Sequence, residues 1–471
     1  MTTLAIDIET YSSIELKTAG EHAYAAAPDF SLLLFGYAFD DERVEVVDVA
    51  RGERIPREVI DALTDPRITK TAFNAAFERA CLARALRLDL PPEQWLCTMA
   101  WSLYLGLPLS LAKVGAALEL DTQKDPAGEI LIKLFCKPKR RDLFGSDRTL
   151  PEHAPDQWER FIAYCRRDVE VEREIRRRLA SRPMPEIERR VWAADQRIND
   201  RGVHVDLDFA SSAVAMDEAV SERLAAEARD LTGLQNPSAV AQLRPWVEAR
   251  IGKRLARLDK AVIAEVLEET RDPNVRRALE LRLLLGKSST KKYLAVESSA
   301  CPDRRARGLL QYYGAARTGR WGGRRIQPQN MAKSKLADLD AAREAVKLGD
   351  VALVEALYGE VPDVLSQLVR TTLTAAPGHY LISSDFSAIE ARVVAWLAGE
   401  KWVLDVFRRG EGLYEATASQ MFGVPIEKVT KDLRTKGKIA TLACGYGGGP
   451  NALVAMGALK MGLAAHELRT I

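Results

Sequence analysis

The sequence predicts a multidomain chain of mixed α/β and α+β class, and three observations carry that expectation. The 471 residues are about three times the ~150 of a typical domain. Residues 1–182 interleave strand-like apolar runs with helical patterns. Residues 186–306 are helical and highly charged, and residues 307–471 mix strands with helices again. Hydrophobic residues make up 47% and charged residues 28%, which is globular composition and excludes a disordered, collagenous or fibrous chain.

In chain order, strands are expected at Thr3–Ile8, Leu32–Phe39, Val44–Val49 and Ile68–Phe73. A long helix is expected from about Pro155, which suits a first helical turn, to about Leu179. Arg182-Pro183-Met184-Pro185 then breaks the chain, because two prolines two apart cannot continue a helix. Helices with narrow apolar stripes follow, punctuated at Asp200-Arg201-Gly202 and Asn236-Pro237-Ser238; they suit a clamp better than a compact core. From Arg307 onward a strand is expected at Gly308–Tyr313, a Gly/Arg-rich loop at Thr318–Arg325, a strand leading into Asp385, and helices to the end. No internal repeat or low-complexity tract is present.

The longest apolar runs, such as Phe30–Ala38, are too short for a membrane span of ~20 residues, and the start MTTLAIDIET does not resemble a signal peptide. The six cysteines are scattered without a C-x-x-C pair, which points to reduced thiols in a cytoplasmic protein. Net charge is only +2, yet basic residues cluster at Lys137–Arg141, Arg176–Arg178, Lys287–Lys292, Arg317–Arg325 and Lys431–Lys438. Such clusters suit either a phosphate backbone or solvated helix faces, so motifs must decide.

In Leu4-Ala5-Ile6-Asp7-Ile8-Glu9, alternation puts Leu4, Ile6 and Ile8 on one face of a strand and Asp7 and Glu9 on the other. Two carboxylates at the end of a buried strand suit a hard divalent cation. Asn74 and Glu78 are four apart at the start of a helix, as are Tyr164 and Asp168 along the long one. A solvated Glu after an N-cap Asn, and a surface Tyr/Asp pair, would account for each of these alone. Together and in this order, the three segments resemble the motifs of the proofreading 3′→5′ exonuclease fold, which is RNase H-like. The resemblance assigns Asp7, Glu9, Glu78 and Asp168 to two metal ions and Tyr164 to orienting the attacking water. Glu78 departs from the family's usual Asp.

Toward the C-terminus, Asp385 ends the expected strand, and Ile389, Val393, Trp396 and Leu397 form the expected core stripe of the next helix, with Glu390 near the junction. Asp385 would also serve as a helix cap. Arg434, Lys438, Leu442 and Tyr446 follow at steps of four, one stripe with two cations, an apolar residue and an aromatic. Cations suit triphosphate oxygens and an aromatic suits base stacking. Gly437 inside this helix costs ~1 kcal/mol relative to Ala and so calls for a reason. With Thr318-Gly319-Arg320 and Gln329-Asn330, these segments resemble the family A DNA polymerases, particularly bacteriophage members, over nearly the whole chain.

That resemblance implies an exonuclease domain at 1–182, a helical thumb region at 186–306, and a palm with fingers at 307–471 that stops before the family's His-Asp-Glu motif. It implies Asp385 as a metal ligand and Glu390 as a steric gate against the ribose 2′-hydroxyl. Arg434 and Lys438 would hold the incoming triphosphate, Lys438 also protonating pyrophosphate, while Leu442 and Tyr446 complete the nucleotide site. Arg320, Gln329 and Asn330 would contact primer–template DNA. Mg²⁺ is the implied ion, with Mn²⁺ able to substitute. The implied partners are primer–template DNA, single-stranded DNA, deoxynucleoside triphosphates and an unidentified processivity factor, in the cytoplasm of a bacterial or phage-infected cell. Leu442 departs from the usual aromatic, and Gly322-Gly323 from the usual small polar pair. No histidine among His22, His153, His204, His379 and His466 is followed by Asp. Two other readings accommodate these residues: an exonuclease whose C-terminal half only holds DNA, and a non-catalytic DNA-binding remnant.

Overall fold

The computed structural model describes the chain except residues 1, 122–124, 126, 140–146, 288–289, 446, 460–462 and 470–471. Tyr446, and Arg140 and Arg141 of the first basic cluster, therefore lie outside the described residues. The chain forms two compact units, Met1–Tyr380 and Leu381–Ile471; the divisions expected near 182 and 306 fall inside the first.

The first unit opens with a five-stranded sheet of β1 (Thr3–Tyr11), β2 (Ser31–Phe39), β3 (Glu45–Asp48), β4 (Thr69–Ala72) and β5 (Trp95–Cys97), in the order β3-β2-β1-β4-β5. β1 is central, antiparallel to β2 and parallel to β4. Leu4, Ile6 and Ile8 enter a core with Phe35, Leu63 and Trp95, as the alternation predicts. β5 was not expected, because a three-residue strand is too short to display a period.

Helices α1 (Ala75–Leu86), α2 (Thr98–Tyr104), α3 (Gly128–Phe135) and α4 (Pro155–Leu179) follow. On the alternation shared by Asp7 and Glu9, Tyr11 packs with Phe135 of α3 and Trp158 and Phe161 of α4. Pro155 occupies the first turn of α4, and α5 (Glu186–Arg201) starts immediately after Pro185. Among the described residues no helix is long and apolar enough to cross a membrane. All six cysteines are free.

Next come β6 (Val203–Val205) and the 26-residue α6 (Leu207–Thr232), which Asp206 caps by accepting the Phe209 N–H at 3.0 Å. α6 shares a second core with α7 (Lys291–Ser299) and the helices Leu339–Lys347 and Val361–Leu368. β7 (Arg305–Ala306) pairs with β6, whose other edge takes a two-residue strand at Leu373–Thr374. β8 (Leu310–Ala315) and β9 (Arg320–Gly323) form a hairpin. The expected Gly/Arg-rich loop is thus partly strand: Gly314 and Gly322 lie so close that a Cβ on either would meet the other's backbone at 2.6–3.0 Å, a pairing only glycines allow.

From residue 379 onward three expectations fail. Residues 379–388 form no strand, and Asp385 caps no helix: α8 (Ile389–Ala398) begins after Ala388. The apolar stripe of α8 is not a core, since Trp396 is 68% and Leu397 72% exposed and only Ala395 is buried. A strand needs a hydrogen-bonding neighbour, and a stripe needs a surface to cover it. Among the described residues the second unit contains only helices, with α9 (Leu413–Phe422) and α10 (Lys431–Cys444) as its most closely packed pair.

Candidate functional site

The predicted exonuclease residues come together in the first unit. The β1–β2 register slips between Glu9 and Thr10, a bulge of the kind that re-aims side chains. Asp7 lies opposite Gly36, where a Cβ would come within 3.0 Å of Cys165 and Val169 of α4. The missing side chain lets α4 close on the strand pair, bringing Tyr164 and Asp168 beside Asp7. Tyr164 and Asp168 are only 2% and 4% exposed, so they are no surface pair. Gly128 at the start of α3 makes room for the Tyr164 ring, and Phe161 stacks on it with centroids 6.1 Å apart. Burial first, then the charges of Asp168, Glu9 and Asp7, pushes the Tyr164 phenol far up, so it remains a neutral hydroxyl able to orient a water.

Glu78 is buried in the first turn of α1, contrary to a solvated role, and the Asn74 side chain makes no capping bond. Its Oε2 has no hydrogen-bond partner among the described residues. Burial, then the charge of Asp7, pushes its carboxyl well above the usual range. Repelling acids with an orphaned oxygen are a donor set suited to a hard cation such as Mg²⁺. Among the described residues, no three His, Cys, Asp or Glu side chains converge closely enough to hold an ion. The structure gathers the predicted acids without closing a coordination shell.

Glu172, one helical turn beyond Asp168, was missed at the sequence level, although its i,i+4 spacing placed it on the same stripe. It is 2% exposed, and its Oε2 accepts from Thr71 Oγ1 at 3.3 Å. Burial pushes its carboxyl up to about 7 against the opposing pull of Arg176, Thr98 and Thr71. A raised carboxyl keeps its proton in the fold while the unfolded chain loses it. Stability is therefore full below pH ~4.5 and declines as pH rises toward 7, by about 3 kcal/mol at most. Glu172→Gln is expected to raise the melting temperature at pH 8 and to leave it unchanged at pH 4, as read by circular dichroism melts.

The predicted polymerase residues lie in the second unit. Asp385 and Glu390 are exposed, Glu390 in the first turn of α8. On α10, Arg434, Lys438 and Leu442 are exposed on one stripe, as their spacing predicts. Arg434 donates to Glu415 at 2.5 Å and lies 5.3 Å from the Tyr414 ring centre. Gly437 has a packing reason: a Cβ there would meet the Tyr414 carbonyl and the Ala418 N–H of α9.

Arg320, Gln329 and Asn330 lie in the first unit at the β8–β9 hairpin and the turn after it, all exposed. Arg317 is exposed at the same tip. Other basic clusters are partly committed: Arg177 pairs with Asp41 at 2.6 Å, and Lys287 pairs with Asp363.

A sequence model described as DNA polymerase family A matches residues 358–466. The chain is 52% identical to a DNA polymerase of Bacillus phage SP02, over 99% of this chain and 73% of the relative. It is 39% identical to DNA polymerase I of Rhizobium leguminosarum over a shorter segment, 17% of this chain and 8% of the relative. In fold it is similar to the POL domain of Pol1 from M. smegmatis, solved in complex with DNA primer-template and dNTP. That likeness has a TM-score of 0.61 at 18% identity and covers 100% of this chain and 71% of the other. The chain belongs to DNA polymerase family A.

Proposed function

We propose that this chain is a DNA-directed DNA polymerase polypeptide with a 3′→5′ proofreading exonuclease at residues 1–182, a helical thumb region at 186–306 and part of a palm with fingers at 307–471. The observation that carries the exonuclease is the gathering of Asp7, Glu9, Glu78, Tyr164 and Asp168 on β1, α1 and α4. Family membership and the cationic stripe of α10 support the polymerase half. Primer–template DNA, single-stranded DNA and deoxynucleoside triphosphates are the partners.

Asp7, Glu9, Glu78 and Asp168 would hold Mg²⁺ or Mn²⁺ between them. Bound there, the ions would supply an activated water and charge neutralisation at the leaving 3′-oxygen. Tyr164, fixed by Phe161 and the space at Gly128, orients the water through its neutral hydroxyl. In the second unit Asp385 would bind metal, Arg434 and Lys438 the triphosphate, Glu390 the sugar edge, and Leu442 and Tyr446 the base side. Arg320, Gln329 and Asn330 hold the duplex.

A second reading, an exonuclease whose C-terminal half only binds DNA, is favoured by the strandless, exposed setting of Asp385. The test of the exonuclease is digestion of a 5′-labelled single strand with Mg²⁺. A ladder shortening from the 3′ end, abolished by EDTA, is expected; an intact strand contradicts the proposal.

A further inference from the structure

The β8–β9 hairpin straddles two cores. Leu309 before it and Ile326 after it are buried in the core of α6, whereas Tyr312 is buried in the core of the five-stranded sheet. Tyr313 meets Tyr104 of α2 edge-on at 6.1 Å, Tyr312 donates to Glu188 at 2.5 Å, and Trp321 Nε1 donates to Asp195 at 2.6 Å. Three non-glycine residues of this stretch, Tyr313, Arg325 and Gln327, have left-handed backbones, with φ of 56°, 53° and 50°. Such conformations persist where the surroundings over-determine them, and they concentrate at ligand clamps.

Arg325 is where the surroundings grip hardest. Its guanidinium pairs with Glu21 at 2.7 Å, the side chains being 7% and 10% exposed, and donates to the Gly308 carbonyl. Gly20 and Gly308, both at positive φ, leave the space it fills; a Cβ at either would collide with it. Glu21 is backed by His22, whose Nε2 lies 3.0 Å from Asp200, and Asp200 accepts from Arg79, the residue after Glu78, at 2.7 Å. Burial pushes Glu21 up, but His22 and Arg325 outweigh it and hold its carboxyl down to about 2, so the pair is fully charged. From the other side, Lys292 of α7 donates to the Ile326 carbonyl at 2.7 Å.

We propose that Arg325 is a positioning residue for duplex DNA: held between Glu21 and Gly308, it seats the hairpin that presents Arg320 against the exonuclease domain, an inference resting on the proposed function above. It contacts no DNA itself. Its role is to fix where the paired primer is gripped relative to the acids of the proposed exonuclease site.

The test compares Arg325→Lys, Arg325→Ala and Glu21→Gln with the parent protein. Affinities for primer–template and for single-stranded DNA are read by fluorescence anisotropy with Ca²⁺ in place of Mg²⁺, and single-strand digestion by KM and kcat. Primer–template binding is expected to weaken about tenfold in Arg325→Ala and Glu21→Gln and about threefold in Arg325→Lys. Single-strand affinity, KM and kcat stay at parent values. A variant that misfolds loses the parent's circular dichroism spectrum and its single-strand affinity, so the variants that retain both decide. Parent-like primer–template affinity in those variants overturns the proposal. Should the parent protein digest no single strand while the duplex-binding loss persists, the exonuclease reading fails and the positioning role stands.

Discussion

Asp7→Ala is expected to abolish 3′→5′ digestion, with a loss of ~100-fold or more, since displacing a catalytic group by even ~1 Å can cost that much. Asp7 sits on the central strand and is the charge that most perturbs Glu78 after burial itself. It would be one of the four acids that hold the ions of the proposed site, and no neighbour takes its place on β1. Glu78→Gln is expected to lose most of the rate as well, because the amide keeps the shape and removes the charge. Glu78→Asp, which restores the family's usual residue, retains activity. Rates are read from release of a 3′-terminal label. Parent-like digestion by Asp7→Ala would remove the assignment, and parent-like digestion by Glu78→Gln would show that the site manages without that carboxylate.

The 471 residues are expected to leave a paired primer unextended. Two-metal phosphoryl transfer needs carboxylates on both sides of the ion pair. In the proposed site Asp385 would supply one, and no histidine among these residues is followed by Asp. Glu390 lies in the first turn of α8, at the proposed sugar edge, and is a poor substitute. The structural setting agrees: residues 379–388 pair with no strand, and Ile382 and Phe386 beside Asp385 are 93% and 79% exposed. Primer extension in an Asp7→Ala background is the assay, so that digestion does not mask synthesis. A polypeptide that adds palm strands bearing a His-Asp-Glu turn is expected to extend the primer. Extension by the 471 residues themselves, lost on Asp385→Ala, would contradict this.

The first sheet and the elements that carry its acids were legible because their signals are local. Alternation in Leu4–Glu9 and the spacing of four in Tyr164–Asp168 survive folding as shared faces, and Asn74 stands just before the helix that carries Glu78. What the sequence hid there depends on distant partners. Glu172 acquires its raised carboxyl from burial beneath β4, and Glu21, His22, Asp200 and Arg325 meet only once residues far apart in sequence pack together. The α8 stripe failed for the converse reason. Its period is helical and α8 is a helix, but periodicity states which residues share a face and not what covers that face. The strand before Asp385 failed likewise, since an apolar run becomes a strand only beside another strand.

Mn²⁺ titration followed by electron paramagnetic resonance tests the central claim most directly, because the claim is that acids gathered in the first unit form a metal site. The protein should carry Asp385→Ala, so that the second unit contributes no ligand from that position. Saturable Mn²⁺ binding is predicted for this protein, and its loss when Asp7→Ala and Asp168→Ala are added. Equal binding with and without those two carboxylates would contradict it.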